Sequence, residues 1–451
     1  MTSSNKIISA KDFSEDFIWG VATSAPQIEG AYNVDGRGLS TWDVFAKRSG
    51  KIKDKSNLNH ACNFYYRYKD DLLIAKGLGF KVFRFSISWS RILPDGTGKV
   101  NEAGIKFYHN LIDECLQLGL TPYVTLFHWD LPYTLQKEGG WTSHFIVKWF
   151  SKFVKLCCKE YGNKVKNWMV INEPMSFTAL GYMLGIHAPG KKGLNNFFPA
   201  VFNTAMAQAE GGRIIRDIVD NANIGTTFSC SEIKPYTNSE LDIAAANKMD
   251  ILINRLFIEP TLGLGFPNDG FPLMDKLNFT TKAWRYIEKM QFDFDFIGVQ
   301  NYFPITVKHS SIIPIINAME VKPSKRKVPQ NGLGWEINAD SFYNIIRKIA
   351  AYTNVKNIIV TENGACFNDK IVNGVVNDTE RINYFNTHLI ALHKLQKEEP
   401  KLKGYFAWTL LDNFEWSEGY KARFGLVYVD FITQLRTIKQ SGYWWRDFLK
   451  K

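Results

Sequence analysis

No uninterrupted apolar run in this 451-residue chain approaches the roughly eighteen residues that a membrane-crossing helix needs, which excludes a helical membrane protein. The start, MTSSNKIISAKDF, lacks the apolar h-region of a secretory leader, so a soluble cytoplasmic protein is expected. None of the six cysteines forms a CxxC pair, and Cys157 and Cys158 are adjacent. In so large a chain, reduced and buried thiols are expected rather than a disulfide framework. No internal repeat or low-complexity linker is found, which leaves one domain over residues 1–451. Long blocks of like charge are missing too. The formal charge is +11, from 55 Lys+Arg against 44 Asp+Glu, yet the lysines are scattered, in clusters no longer than Lys191-Lys192 or Lys325-Arg326-Lys327. That distribution reads as a solvated surface, with neither nucleic acid nor membrane as a partner.

What the chain does contain is core-forming material. Hydrophobic residues make up 45% and aromatic residues 14%, ample for a large interior. The thirteen tryptophans are a high count, and tryptophan also serves as a stacking surface for the apolar faces of sugar rings. Strand-like runs near 17–23, 81–88, 121–127, 168–172, 223–229, 294–299, 357–361 and 404–409 alternate with helical patterns. One such helix is expected over 103–118, with Ile105, Tyr108, Leu111, Ile112, Cys115 and Leu116 on one face. Eight β-α units imply an α/β fold: a single closed (β/α)8 TIM barrel with extended loops at the C-terminal face of its strands. Residues 303–335, with their Pro, Lys, Ser and Gly content, read as a long loop after the sixth strand that shapes a cleft.

Two of these strands carry the chemistry. "WMVI" runs into Asn172-Glu173-Pro174, and "NIIV" runs into Thr361-Glu362-Asn363-Gly364. In a barrel, strand ends converge on one mouth, and two facing carboxyls there are what glycoside hydrolysis needs: one protonated, one ionised. The other strand ends are polar or aromatic as well. They supply Gln27 in "SAPQIEG", Arg84 inside the apolar "FRFSISWSR", His128 and Trp129 in "TLFHWDLP", and Trp408, Glu415 and Trp416 in "WTLLDNFEW". Asp130 and Asp412 read as loop and helix-start hydrogen-bonding residues.

Taken together, these ordered motifs resemble the family 1 glycoside hydrolases, the β-glucosidase and β-galactosidase type, over essentially the whole chain. The resemblance implies a (β/α)8 barrel and a retaining double displacement with no cofactor and no metal. It also implies roles. Glu362 matches the nucleophile and Glu173 the acid/base. Asn172 matches the residue holding the sugar 2-hydroxyl, and Gln27, His128, Glu415 and Trp416 match those binding the other hydroxyls. Trp408 matches the platform beneath the sugar ring, and Trp129, beside His128, is counted with the substrate-binding residues. Arg84 and Tyr302 match the partners that orient the nucleophile and keep it charged, and Trp335 matches a wall of the aglycone side. On physical grounds, an adjacent Arg84 lowers the proton affinity of Glu362, and a negative Glu362 raises that of Glu173.

The chain departs from the family pattern at Gln300, where asparagine is usual, and at Asn63, where aspartate is common. Pro26 and Met175 also differ, the latter lacking the tryptophan that follows "NEP" in many members. The substrate implied is a small-molecule β-glycoside or oligosaccharide. Glu415, as a carboxylate, favours a neutral hexose over a 6-phosphorylated one, and Phe424 stands where phospho-glycosidases tend to have tyrosine. A 6-phospho-β-glycosidase and a non-catalytic sugar-binding relative are the alternatives. The choice among glucose, galactose and fucose, and the oligomeric state, stay open.

Overall fold

The computed structural model describes residues 8–450; residues 1–7, on which the expectation of no leader partly rests, and residue 451 lie outside it. Eight parallel strands close into a barrel in chain order: β1 (Ile18–Ala22), β2 (Val82–Ser86), β3 (Thr121–Phe127), β4 (Asn167–Asn172), β5 (Asn223–Ser229), β6 (Phe296–Gln300), β7 (Ile358–Asn363) and β8 (Leu402–Trp408). β8 returns to β1 in parallel register, from Ile18 opposite Gly404 to Ala22 opposite Trp408, so no sheet edge remains within the barrel. All eight strands lie where the apolar runs place them.

Helices clothe the outside: α1 (Phe64–Gly77), α2 (Glu102–Gln117), α3 (Ile146–Tyr161), α4 (Leu194–Ile218), α5 (Glu240–Asp250), α6 (Ala339–Ala350), α7 (Thr379–Glu398) and α8 (Gln440–Lys450). The 3.6-residue period sets their inner faces. In α2 the buried positions are Gly104, Ile105, Phe107, Tyr108, Leu111, Ile112 and Cys115. Leu116, expected on that face, is instead 44% exposed: it lies at the edge of the buried stripe, in the last turn of the helix. α6 begins where the Asn338 side chain accepts the Ser341 backbone N–H, satisfying one of the free donors of its first turn.

The interior of the barrel is a separate apolar layer, with the Tyr123 ring against those of Phe296 and Phe406. Two glycines make room for them. A Cβ at Gly20 would lie 2.5 Å from the Phe406 ring and one at Gly225 would lie 2.3 Å from that of Phe296. All six cysteines are free and buried. Among the described residues no helix is long and apolar enough to cross a membrane.

One expectation needs correction and another is extended. The segment 303–335 is not all loop: Ile305–His309 and Ala318–Glu320 join Ile233–Pro235 in a small three-stranded sheet. Asp412 does more than hydrogen-bond a loop. It pairs at 2.6 Å with both Arg423 and Lys439, and Lys439 also meets Asp369, which Arg381 holds at 2.7 Å. This buried lattice ties the loops after β7 and β8 to the entry of α8.

Candidate active site

The C-terminal strand ends open into a cavity of about 260 Å³. Ten of the twelve residues singled out in the sequence line it: His128, Trp129, Asn172, Glu173, Tyr302, Trp335, Glu362, Trp408, Glu415 and Trp416. The other two, Arg84 and Gln27, are wholly buried behind its wall.

Arg84 lies in the middle of β2, with its guanidinium inside the barrel. One amino group is hydrogen-bonded and ion-paired to Glu362 Oε1, and the other donates to Asn172 Oδ1 at 2.5 Å. Gln300, the last residue of β6, donates from Nε2 to the same two oxygens, at 2.8 Å to Glu362 and 2.7 Å to Asn172. Tyr302 donates its hydroxyl to Glu362 Oε2 at 2.6 Å. Both oxygens of Glu362 are thus held in one rotamer. Because Asn172 Oδ1 also accepts from Thr227 at 2.9 Å, the Asn172 amide is oriented, and its Nδ2 faces His128 Nε2 at 3.1 Å. That nitrogen of His128 then accepts, which puts the ring proton on Nδ1. Burial and the Arg84 charge both depress the His128 pKa, so the ring is neutral.

Gln27 does not reach the cavity. Its carbonyl accepts from Ser24 and its amide donates to Asn413 and the Phe414 carbonyl at 3.0 Å, with Glu415 at 3.5 Å. It therefore stands behind Glu415 as a support. Aromatic rings form the walls. His128 stacks near both Trp408 and Trp416, at centroid distances of 6.2 and 5.9 Å, and Trp129 packs on Trp416 at 4.5 Å. In the same lining, Trp335 rests on Phe303 at 4.7 Å and close to Tyr302 and Phe424.

Three of these residues hold a left-handed backbone that side chains disfavour: Trp129 (φ 78°), Glu173 (φ 44°) and Trp416 (φ 50°). Each costs on the order of 1–3 kcal/mol, a strain that the surrounding structure must overcome.

Burial dominates the electrostatics. It pushes Glu173 up to about 8, helped by the Glu362 charge and opposed by the Ser176 and Ser229 hydroxyls and Arg84. Glu415 also rises to about 8, again from burial first and then from Glu362 and Glu173. Glu362 itself lies above the ordinary glutamate range: burial raises it, against the charge of Arg84 and the hydrogen bonds from Tyr302 and Arg84. Arg84 lowers it, as expected, but withdrawal from water outweighs one guanidinium, so the net shift is upward. Four carboxyls, Glu173, Glu362, Glu415 and Glu418, line the cavity, and of these Glu362 is paired with the buried Arg84 cation. Such a set can keep one acid protonated while another is ionised. Among the described residues, no group of three or more His, Cys, Asp or Glu is disposed to hold a metal ion.

Sequence reasoning missed several lining residues: Ser176, His187, Ser229, Phe303, Leu333 and Glu418. Ser229 ends β5, so the rule that barrel strand ends carry the site would have found it.

The family model described as glycosyl hydrolase family 1 matches residues 9–451. The chain is 39% identical over 446 residues to beta-glucosidase A of Thermotoga maritima, covering 98% of this chain and 99% of the relative. It is 37% identical over 465 residues to beta-glucosidase 42 of Arabidopsis thaliana, covering 97% and 94%. The solved structure of the Thermotoga maritima beta-glucosidase in complex with deoxynojirimycin superposes with a TM-score of 0.94 at 39% identity, covering 97% of this chain and 98% of that one.

Proposed function

The chain belongs to glycosyl hydrolase family 1, and on that premise we propose that it is a β-glucosidase: a retaining exo-acting enzyme that removes terminal β-D-glucosyl residues, and accepts β-D-galactosyl or β-D-fucosyl ones. The observation that carries this reading is the asymmetry of two carboxyls in one cavity. Glu362 has both oxygens gripped by donors, whereas Glu173 is held near pH 8 as an acid.

The chemistry follows from that asymmetry. Ionised Glu362 attacks the anomeric carbon while Glu173 gives its proton to the departing glycosidic oxygen. The bond to the aglycone breaks, and an ester between the sugar and Glu362 forms. The ester carries no charge, so the Coulombic contribution that raised Glu173 is gone and its carboxylate can take a proton from water. The resulting hydroxide adds to the same carbon and displaces Glu362. Two inversions give net retention. Asn172, with Nδ2 directed away from its three donors, serves the 2-hydroxyl; His128, Glu415 and Trp416 serve the remaining hydroxyls, with Gln27 steadying Glu415. Trp408 and Trp129 provide apolar faces for the ring, and Trp335 with Phe303 flanks the aglycone.

A neutral sugar fits better than a 6-phosphorylated one. None of the described residues lining the cavity is lysine or arginine, and four glutamates line it. The sequence argument treated Glu415 as a standing carboxylate. With its pKa raised to about 8 it is mostly protonated near neutrality, so the discrimination rests on the lack of a lysine or arginine among the described lining residues to pair with a phosphate. The free state of all six cysteines supports a reducing compartment, the cytoplasm. Initial rates on p-nitrophenyl β-glucoside, β-galactoside, β-fucoside and 6-phospho-β-glucoside, measured side by side, test this reading. Preference for a neutral sugar supports it. Activity confined to the phosphorylated substrate, or silence on all four, overturns it.

A further inference from the structure

Gln300 is the place where this chain leaves its family's usual asparagine, and the fold puts it beside the reacting carboxylate. It is wholly buried, in register with Glu362 on β7 and with Ser229 on β5. Its Nε2 faces three oxygens: Asn172 Oδ1 at 2.7 Å, Glu362 Oε1 at 2.8 Å and Thr227 Oγ1 at 3.3 Å. The amide orientation is therefore fixed, because the flipped amide would set its carbonyl against those acceptors. The other end of the group has nothing: Gln300 Oε1 is buried with no hydrogen-bond partner. A side chain retained only to fill space would have no reason to carry an orphaned carbonyl, which disfavours folding. An asparagine pointing the same way would stop one carbon–carbon bond, about 1.5 Å, short of those oxygens.

We propose that Gln300 is a positioning residue for Glu362, whose longer arm ties the carboxylate to Asn172 and favours its ionised form. The proposal rests on reading Glu362 as the nucleophile. A neutral donor on a carboxylate lowers its proton affinity and fixes its rotamer. The same amide group spans the nucleophile and the residue assigned to the 2-hydroxyl, so the two are held at one spacing through the reaction.

Gln300→Met tests this with little structural disturbance. The methionine side chain is as long and unbranched, and every oxygen that loses Gln300 keeps another partner. Glu362 Oε1 keeps Arg84; Asn172 Oδ1 keeps Arg84 and Thr227. The orphaned carbonyl also disappears, so Tm should be unchanged or raised. In deuterated protein carrying 13C at the glutamate carboxyls, the Glu362 signal is assigned by its loss in Glu362→Gln and titrated. It should titrate about half to one pH unit higher in Gln300→Met. The acid limb of kcat/KM on p-nitrophenyl β-glucoside should rise in step, and kcat should fall about tenfold with KM little changed. A folded Gln300→Met whose Glu362 titration stays within about 0.2 pH unit of the parent overturns the proposal. Gln300→Glu is the second variant, isosteric and usable if the first does not fold. It removes the donor and adds an acidic group, so the Glu362 titration should rise further, and an unmoved titration is again a refutation. If the parent protein hydrolyses none of the four glycosides, the substrate reading fails while the carboxyl titration still decides the role of Gln300.

Discussion

Replacing Arg84 with methionine would show how much of the site depends on one buried charge. Arg84 and Glu362 form an ion pair whose side chains are 0% and 4% exposed. Two unit charges about 4 Å apart in a protein of effective dielectric near 20 attract by about 4 kcal/mol, and each pH unit corresponds to about 1.4 kcal/mol. Loss of the guanidinium should therefore raise the Glu362 pKa by about 2–3 units. The sign follows from the mechanism: Glu362 must be ionised to attack, so the acid limb of kcat/KM moves upward by the same amount. Below that limb, activity falls about tenfold per unit, giving a loss of about 10²- to 10³-fold near pH 5. The limb also approaches the value near 8 of Glu173, so the bell narrows and its maximum sinks. Stability supplies an independent check. A carboxyl whose folded pKa lies above its unfolded one contributes stability fully below the unfolded value, and that stability is lost as pH rises through the folded value. The Tm deficit of Arg84→Met should thus grow between pH 5 and pH 8. Arg84→Lys keeps a charge but not the fork that spans Glu362 and Asn172, and should shift the limb less. A correctly folded Arg84→Met with an acid limb within about half a unit of the parent would refute the account.

Other substitutions separate the remaining roles. Glu173→Gln should lower kcat/KM by about 10²- to 10⁴-fold for cellobiose but by far less for p-nitrophenyl β-glucoside, whose leaving group needs no proton; equal losses would remove the acid role. Glu362→Ala should abolish hydrolysis, and added azide or formate should restore turnover with an inverted product; a retained product would assign the nucleophile elsewhere. Glu173 and Glu415, both raised to about 8 by burial, bind protons more tightly folded than unfolded, so Tm should fall from pH 5 to pH 8. Glu173→Gln and Glu415→Gln should each flatten that slope, and a slope untouched by both would show that other groups set it.

How far the sequence could be read depended on whether a feature is local. The barrel strands are legible because each is a short apolar run closed by polar residues, and the carboxyl pair because both glutamates end such runs. The small sheet within 303–335 was not legible, because Ala318–Glu320 and Ile233–Pro235 are three-residue strands with no alternation to read. The ion pairs of Asp412 with Lys439, and the position of Gln27 behind Glu415, depend on partners far along the chain. Gln300 was visible as a departure, but its reach to Glu362 and Asn172 required the register of β6 against β7. The left-handed backbone at Trp129, Glu173 and Trp416 had no sequence signal at all, because the usual glycine or asparagine is absent there.

That last feature has a use outside chemistry. Glycine adopts a left-handed backbone freely, whereas tryptophan and glutamate do so at a penalty that folding must absorb at positions 129, 173 and 416. A random library selected only for surviving heat, with no sugar in the assay, would drift towards glycine or asparagine at these places. The cleft would then emerge as a set of positions where heat selection and turnover pull in opposite directions. Any campaign to harden this protein by consensus or screening should hold those three codons fixed from the first round.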